Sequence, residues 1–129
     1  GCRGADGKFR RLKMTNENNT INYIEFPLVK NAETKAFYGA VFGWDFTDWG
    51  PDYISFAGAG IDGGFNGVDG VAAAAPGILV VLYAADLDAT LAAVAAAGGE
   101  IVKPAYTFPG GRRFHFRDPN GSELAVWSE

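Results

Sequence analysis

The sequence predicts an α+β fold in which two tandem βαβββ modules form a curved mixed sheet around a cleft. A repeated order of elements, similar helix boundaries in both copies and the chain length favour this fold. Strand, helix and further strands follow Ile21 and again Ile78, and an offset of 55 residues aligns Gly43 with Gly98. Two such half-covered sheets can enclose a cleft, which is where small ligands commonly bind.

Each copy contains one short helix with a recognisable beginning and end. Asn31 and Asp86 are predicted N-caps, because their side-chain oxygens can accept hydrogen bonds from first-turn amides. Gly43 and Gly98 are predicted to end these helices in the left-handed conformation. The strands are predicted, in chain order, at 21–27, 45–49, 53–57, 61–66, 78–84, 100–104, 112–117 and 123–127.

Polar and apolar residues alternate in two of these strands. The pattern is clear in Tyr23–Phe26 and again in Arg113–Arg117, so one face should pack on the helices and the other should line the cleft. His115, the single histidine, is therefore expected at the cleft or its rim together with Arg113. Asp118–Gly121 predicts a tight turn between the last two strands.

Length and charge indicate one domain with a distinct leader. The chain has 129 residues, enough for a core without disulfides. Residues 1–13 carry a net charge of +4, so the rest sums to −8, because the whole chain carries −4. We expect residues 1–20 to be a leader, either a cloning remnant or a disordered arm. Residues 21–129 are then one domain, with modules at 21–66 and 78–129 and a linker at 67–77.

Composition excludes several classes of partner. The acidic body lacks the basic face that phosphate backbones need, and it favours a cationic or neutral ligand over nucleic acid. The longest apolar run, Ile78–Ala85, has eight residues, whereas a membrane helix needs about 20. Cys2 is the only cysteine, so no internal disulfide can form and a cytoplasmic location is expected.

Four motifs resemble the vicinal oxygen chelate superfamily, which contains glyoxalases, bleomycin resistance proteins and extradiol dioxygenases. They are Ile24–Pro27, Lys35–Tyr38 with Phe42-Gly43-Trp44, Ala97-Gly98-Gly99 before Pro104, and Phe116–Gly121. The resemblance spans residues 21–127 and implies the paired βαβββ fold. It does not identify a reaction, because this fold hosts isomerases, lyases, dioxygenases and binding proteins.

The resemblance also implies where a metal would be bound. Active members hold a divalent ion with His, Gln or Glu side chains, and three of the positions fall on Tyr23, Leu79 and Ala125. A fourth ligand belongs near Asp62, which is the only ligand type in that stretch. With no glutamine and one histidine in the chain, we expect no metal site and no cofactor.

The candidate site residues follow from the predicted cleft face. Catalytic candidates are His115, Glu25 and Glu123, since a histidine or glutamate can exchange protons near neutral pH. The predicted ligand-binding residues are Tyr23, Glu25, Trp49, Tyr53, Phe65, Tyr83, His115 and Trp127.

These residues favour a protein that holds an apolar or cationic aromatic ligand in the cleft without metal. The alternative is an isomerase, epimerase or lyase that uses His115 or a glutamate as acid and base, with or without a recruited metal. A third alternative is an interaction module without a ligand. The resemblance implies that two protomers can share ligand sites, and therefore a homodimer.

Overall fold

A computed structural model describes residues 18, 19, 21–68 and 78–129. Each repeat forms a four-stranded mixed sheet with one helix, which confirms the predicted α+β class. Most of the predicted leader and most of the predicted linker lie outside the described residues. None of the helices in the described ranges is long and apolar enough to cross a membrane.

The first repeat contains four strands and one helix. In chain order they are β1 (Tyr23–Pro27), α1 (Asn31–Phe42), β2 (Asp45–Asp48), β3 (Tyr53–Ala57) and β4 (Asp62–Asn66). The strand order across the sheet is β1-β4-β3-β2, with β1 parallel to β4 and the other pairs antiparallel. All four strands overlap the segments predicted from the sequence.

The second repeat has the same order of elements. It contains β5 (Val80–Tyr83), α2 (Leu87–Ala96), β6 (Glu100–Phe108), β7 (Gly111–Arg117) and β8 (Glu123–Ser128). The strand order is β5-β8-β7-β6, with β5 parallel to β8. The repeat inferred from the 55-residue offset is thus present in the topology of both sheets.

The core lies on the helix-facing sides of both sheets. Helix α1 joins them, because Tyr38 packs on Phe65 of β4 while the neighbouring Phe37 packs on Phe116 of β7, with ring centroids 5.2 and 5.7 Å apart. These four rings are almost completely buried and belong to one hydrophobic cluster. The opposite side of each sheet, here called its outer face, is left to polar and aromatic side chains.

Three of the four predicted helix-end residues behave as expected. Gly43 and Gly98 have φ angles of 74° and 95°, and Asp86 Oδ1 accepts a hydrogen bond from the Ala89 amide at 3.0 Å. The N-cap prediction for Asn31 is wrong. Asn31 is the first residue of α1, and its side-chain Nδ2 donates to the Pro51 carbonyl. Lys30 occupies the cap position without a side-chain capping bond.

The chain entering α1 is held instead by a residue from the other repeat. Asn120 Oδ1 accepts hydrogen bonds from the amides of Val29 and Lys30 at 2.6 and 2.9 Å. Its Nδ2 donates to Thr34 Oγ1 at 2.9 Å. Asn120 belongs to the predicted turn, which Asp118 closes by accepting the amides of Asn120 and Ser122. The turn is therefore also a contact between the repeats.

Candidate functional site

The outer face of the first sheet carries a hydrogen-bonded cluster that we call the tyrosine–glutamate cluster (Tyr23, Glu25, Tyr53 and Asn66). The hydroxyls of Tyr23 and Tyr53 are 2.5 Å apart, and Tyr53 donates to Glu25 Oε2 at 3.0 Å. Asn66 Nδ2 donates to the second carboxylate oxygen at 3.2 Å. Burial, followed by the bonds to Tyr23 and Glu25, raises the pKa of Tyr53 well above its ordinary value. Both Glu25 oxygens thus accept hydrogen bonds within the cluster.

Trp49 lies beside this cluster, whereas Phe65 does not. Trp49 is 68% exposed, and its indole nitrogen donates to Ser55 Oγ on the outer face at 2.8 Å. Phe65 is fully buried against Phe26 and Tyr38, so its prediction as a ligand-binding residue is wrong. The reason is strand parity: Phe65 alternates with Gly64, which faces outward beneath the two tyrosine hydroxyls.

The outer face of the second sheet carries the histidine cluster (Tyr106, Arg113, His115 and Glu123). His115 is 4% exposed, and its Nδ1 lies 2.8 Å from Glu123 Oε2. Because a carboxylate only accepts, Nδ1 carries a proton in this contact, and Nε2 lies 3.0 Å from Tyr106 Oη. Arg113 Nε donates to the same hydroxyl at 2.5 Å. The four side chains form a continuous line from carboxylate to guanidinium.

Next to this cluster lies a groove of about 380 Å³ lined by Val81, Phe108, Gly110, Arg113 and Trp127. Its walls are mainly apolar, and Arg113 belongs to both the groove and the histidine cluster. Phe108 and Tyr83 both contact the Trp127 ring, with centroids 6.3 and 5.1 Å away. Tyr83 is 51% exposed, and its hydroxyl donates to Glu129 Oε1 at 2.7 Å, which is the main cause of its raised pKa.

A strand longer than predicted carries Tyr106 and Phe108 on this face. The pairing of β6 with β7 shifts register between Ile101 and Lys103 and again between Lys103 and Tyr106. Each shift reverses the face of the residues that follow, and the two cancel, so Tyr106 opposite Arg113 lies on the same face as Glu100 opposite Arg117. The bulges accommodate Pro104, which cannot donate a ladder hydrogen bond, so the strand continues to Phe108 and not to the predicted end at Pro104. Sequence analysis therefore missed Tyr106 and Phe108 as site residues.

The metal-binding positions that the family resemblance implied do not fit an ion. Tyr23 bonds Tyr53, and Ala125 is a fully buried methyl side chain directly opposite His115 in the β7–β8 ladder. Nowhere in the described ranges do three His, Cys, Asp or Glu side chains converge as a metal site would require. Glu123 is the only carboxylate that contacts His115 there, and the pair supplies two ligands at most.

The predicted site residues thus form two groups, one on each sheet. Tyr23, Glu25, Trp49 and Tyr53 lie on the first outer face, and Tyr83, His115, Glu123 and Trp127 lie on the second. No hydrogen bond or ring contact among the described residues joins these groups. The second face combines a groove with a polar line of side chains.

Comparisons with known proteins agree with this architecture. The model of the Glyoxalase/Bleomycin resistance protein/Dioxygenase superfamily matches residues 20–126. A glyoxalase-related enzyme from Fulvimarina pelagi has a similar structure, with a TM-score of 0.72, 22% identity, and coverage of 86% of this chain and 88% of that one. A glyoxalase/bleomycin resistance protein/dioxygenase family enzyme from Burkholderia phytofirmans PsJN is also similar, with a TM-score of 0.69 and 17% identity. The alignment covers 83% of this chain and 96% of that one.

An antibiotic binding protein, TnmS3 from Streptomyces sp. CB03234, is also similar in structure. Its TM-score is 0.62 at 22% identity, and the alignment covers 92% of this chain and 98% of TnmS3. A comparison with curated proteins gave no significant match. At these identities the structural likenesses establish the fold.

Proposed function

Because this chain belongs to the glyoxalase/bleomycin resistance protein/dioxygenase superfamily, we propose that it binds a small aromatic molecule without a metal. The observation that carries this proposal is the groove on the second outer face. Its volume of about 380 Å³ lies within the range of small-molecule sites. Val81, Phe108 and Trp127 offer it apolar and aromatic surface. The structural likeness to an antibiotic binding protein is consistent with this function.

The sequence predicted an apolar or a cationic aromatic ligand, and the groove favours the apolar one. Arg113 lines the groove, and a cationic ligand would face its guanidinium at short range. On the first sheet Glu25 is a carboxylate near two tyrosines, but both of its oxygens already accept hydrogen bonds. We therefore assign ligand binding to the second outer face.

Calorimetric titration with naphthalene-2-carboxamide, a neutral planar probe, tests this proposal. Val81 is 41% exposed and lines the groove, so Val81→Glu should weaken binding about tenfold by placing a charge against the ring. Val29→Glu is the matched control, because Val29 is 70% exposed and lies outside the groove. Affinity should be the same with and without a chelator.

Either of two results would contradict the proposal. Equal affinities for the two variants would place the probe elsewhere, and loss of binding in chelator would require a metal. His115→Ala should keep most of the affinity, because His115 does not line the groove.

The histidine cluster favours a second candidate, an isomerase, epimerase or lyase. Glu123 fixes the proton on His115 Nδ1, which leaves Nε2 to accept a proton through Tyr106. A carbon acid bound beside Tyr106 would lose its proton to this line and regain one from it. Incubating the protein with phenylacetone in heavy water, followed by proton NMR, tests this chemistry. Catalysed deuterium incorporation that His115→Ala abolishes would establish it, whereas exchange equal to buffer would reject it for this probe class.

We also propose a cytoplasmic homodimer in which a second copy covers the outer faces. Large side chains on both faces are exposed, including Tyr23 at 43%, Trp49 at 68% and Tyr83 at 51%. A partner sheet would bury them and bring the two groups of site residues together. Sedimentation equilibrium should give twice the chain mass, and Tyr83→Lys should shift it towards the monomer. A wild-type monomer at high concentration would reject this assembly.

A further inference from the structure

Arg113 is held in place by groups that leave most of its donors unused. Its guanidinium carbon lies 5.6 Å from the centroid of Tyr106 and 5.7 Å from that of Phe108, within cation–π range of both rings. Its Nε donates to Tyr106 Oη. Two rings and one hydrogen bond therefore fix the plane of a side chain that is otherwise flexible.

The two terminal nitrogens of Arg113 carry the remaining N–H groups. A guanidinium has five N–H donors, and only the one on Nε is used here. No described residue accepts a hydrogen bond or forms an ion pair with the terminal nitrogens. Glu123, the carboxylate of the same cluster, bonds His115 instead. The guanidinium thus presents a fork of donors at an apolar groove with no anion of its own.

We propose that the groove binds an aromatic anion, a flat ring that carries a carboxylate or a chemically equivalent acidic group. This inference rests on the proposed ligand-binding function and names its ligand class. The ring lies among Val81, Phe108 and Trp127, and the anionic group accepts hydrogen bonds from the terminal nitrogens of Arg113. Planar two-oxygen groups match the guanidinium fork in geometry as well as in charge.

The charge beside the groove, and not the net charge of the chain, determines which ligand charge the groove favours. The acidic body of the chain favours cations at long range, but such fields are screened over about 10 Å in ordinary buffer. A ligand in the groove interacts first with Arg113, which lines it. The other arginines of β7 are already paired, Arg112 with Asp88 at 3.0 Å and Arg117 with Glu100 at 3.3 Å. Arg113 is therefore the arginine of this strand that a ligand can engage.

Two isosteric probes, 2-naphthoate and naphthalene-2-carboxamide, test the inference by calorimetry at neutral pH. Both have the same ring, and only the first is charged. Wild-type protein should bind 2-naphthoate about tenfold more tightly, the effect expected for a charge-assisted hydrogen bond. Arg113→Gln should remove this preference, so that the ratio of the two affinities falls to about one, while Arg113→Lys should retain part of it.

Arg112→Gln is the matched control, since it removes a guanidinium from the same strand. The Arg112 guanidinium donates to Asp88 of α2. It should keep the preference for 2-naphthoate. A second measurement uses wild-type protein alone, so it does not depend on variant folding: added salt should weaken 2-naphthoate binding and leave carboxamide binding unchanged.

The outcomes separate this inference from the function on which it rests. If both probes bind equally and without salt dependence, the anion assignment is wrong and the aromatic groove stands. If the Arg113→Gln variant prefers 2-naphthoate over the carboxamide as strongly as the wild type does, the anion site lies elsewhere and the inference is overturned. If neither probe binds, the proposed ligand-binding function itself fails.

Discussion

Tyr38 and Asp118 form a buried polar pair between the helix of the first repeat and the turn of the second. The Tyr38 hydroxyl donates to Asp118 Oδ2 at 3.0 Å, and both residues are at most 5% exposed. Burial, and then the neighbouring Asp118 charge, raises the pKa of Tyr38. Burial also raises the pKa of Asp118 above 3.8, although its hydrogen bonds act in the opposite direction. The molecule therefore keeps a carboxylate at a position that disfavours its charge.

Asp118→Asn should reveal this cost as a dependence of stability on pH. A carboxyl group whose pKa is raised in the folded state destabilises the folded protein as the pH rises. The loss begins near the unfolded-state pKa of 3.8 and continues through the folded-state pKa. The amide cannot ionise, so the free energy of unfolding of the variant relative to wild type should increase from about pH 4 to pH 7. Urea unfolding across that range measures the difference. A difference independent of pH would show that Asp118 carries no such penalty.

At the scale of elements, the start of α1 depends on Asn120 and not on the residue that the sequence suggested. Asn120→Ala removes three hydrogen bonds and leaves the amides of Val29 and Lys30 without their acceptor. We expect a loss of about 2–4 kcal/mol in the free energy of unfolding. Asn31→Ala, which removes one exposed bond to Pro51, should cost under about 1 kcal/mol.

Urea unfolding of both variants checks this ranking. If Asn31→Ala proved the more destabilising of the two, Asn31 and not Asn120 would be the residue that stabilises the start of α1. If both changes were neutral, water would have to replace the Asn120 amide at the start of α1.

The sequence predicted elements whose signals are local, and it missed features that depend on distant partners. His115 lies on the side of β7 opposite the core residues Phe114 and Phe116, as alternation indicated, and Asp86 caps α2 because its acceptor is three residues from the donor. The contact of Asn120 with Val29 spans 91 residues, and no local pattern encodes it. The strand was predicted to end at Pro104, so Tyr106 and Phe108 lay outside the predicted sheet, although they continue the alternation that starts at Glu100.

At the scale of the whole molecule, α1 makes the two repeats one packing unit. Phe37 contacts Phe116 of the second sheet, while Tyr38 contacts Phe65 and Trp44 of the first repeat. The outer faces are thereby left free on both sheets, and the groove forms on one of them without residues of the other. A shared core with separate outer faces allows the two copies of a repeated sequence to carry different side chains on their outer faces.

This packing predicts that both repeats unfold together. Two variants with single tryptophans report on each repeat: Trp49→Phe/Trp127→Phe leaves the buried Trp44, and Trp44→Phe/Trp49→Phe leaves Trp127. In each variant, fluorescence and far-ultraviolet circular dichroism should give coincident urea transitions, as a two-state domain requires.

Phe37→Ala should then lower both midpoints, because truncating a buried phenylalanine costs about 3–5 kcal/mol and this ring contacts the second sheet. Leu79→Ala is the matched control: it also truncates an apolar side chain, but one that is half-buried and outside the shared cluster, so both midpoints should move little. Transitions that separate within either variant, or a Phe37→Ala effect confined to Trp44, would show that the repeats fold independently. The contacts of α1 would then be a docking surface between two stable units.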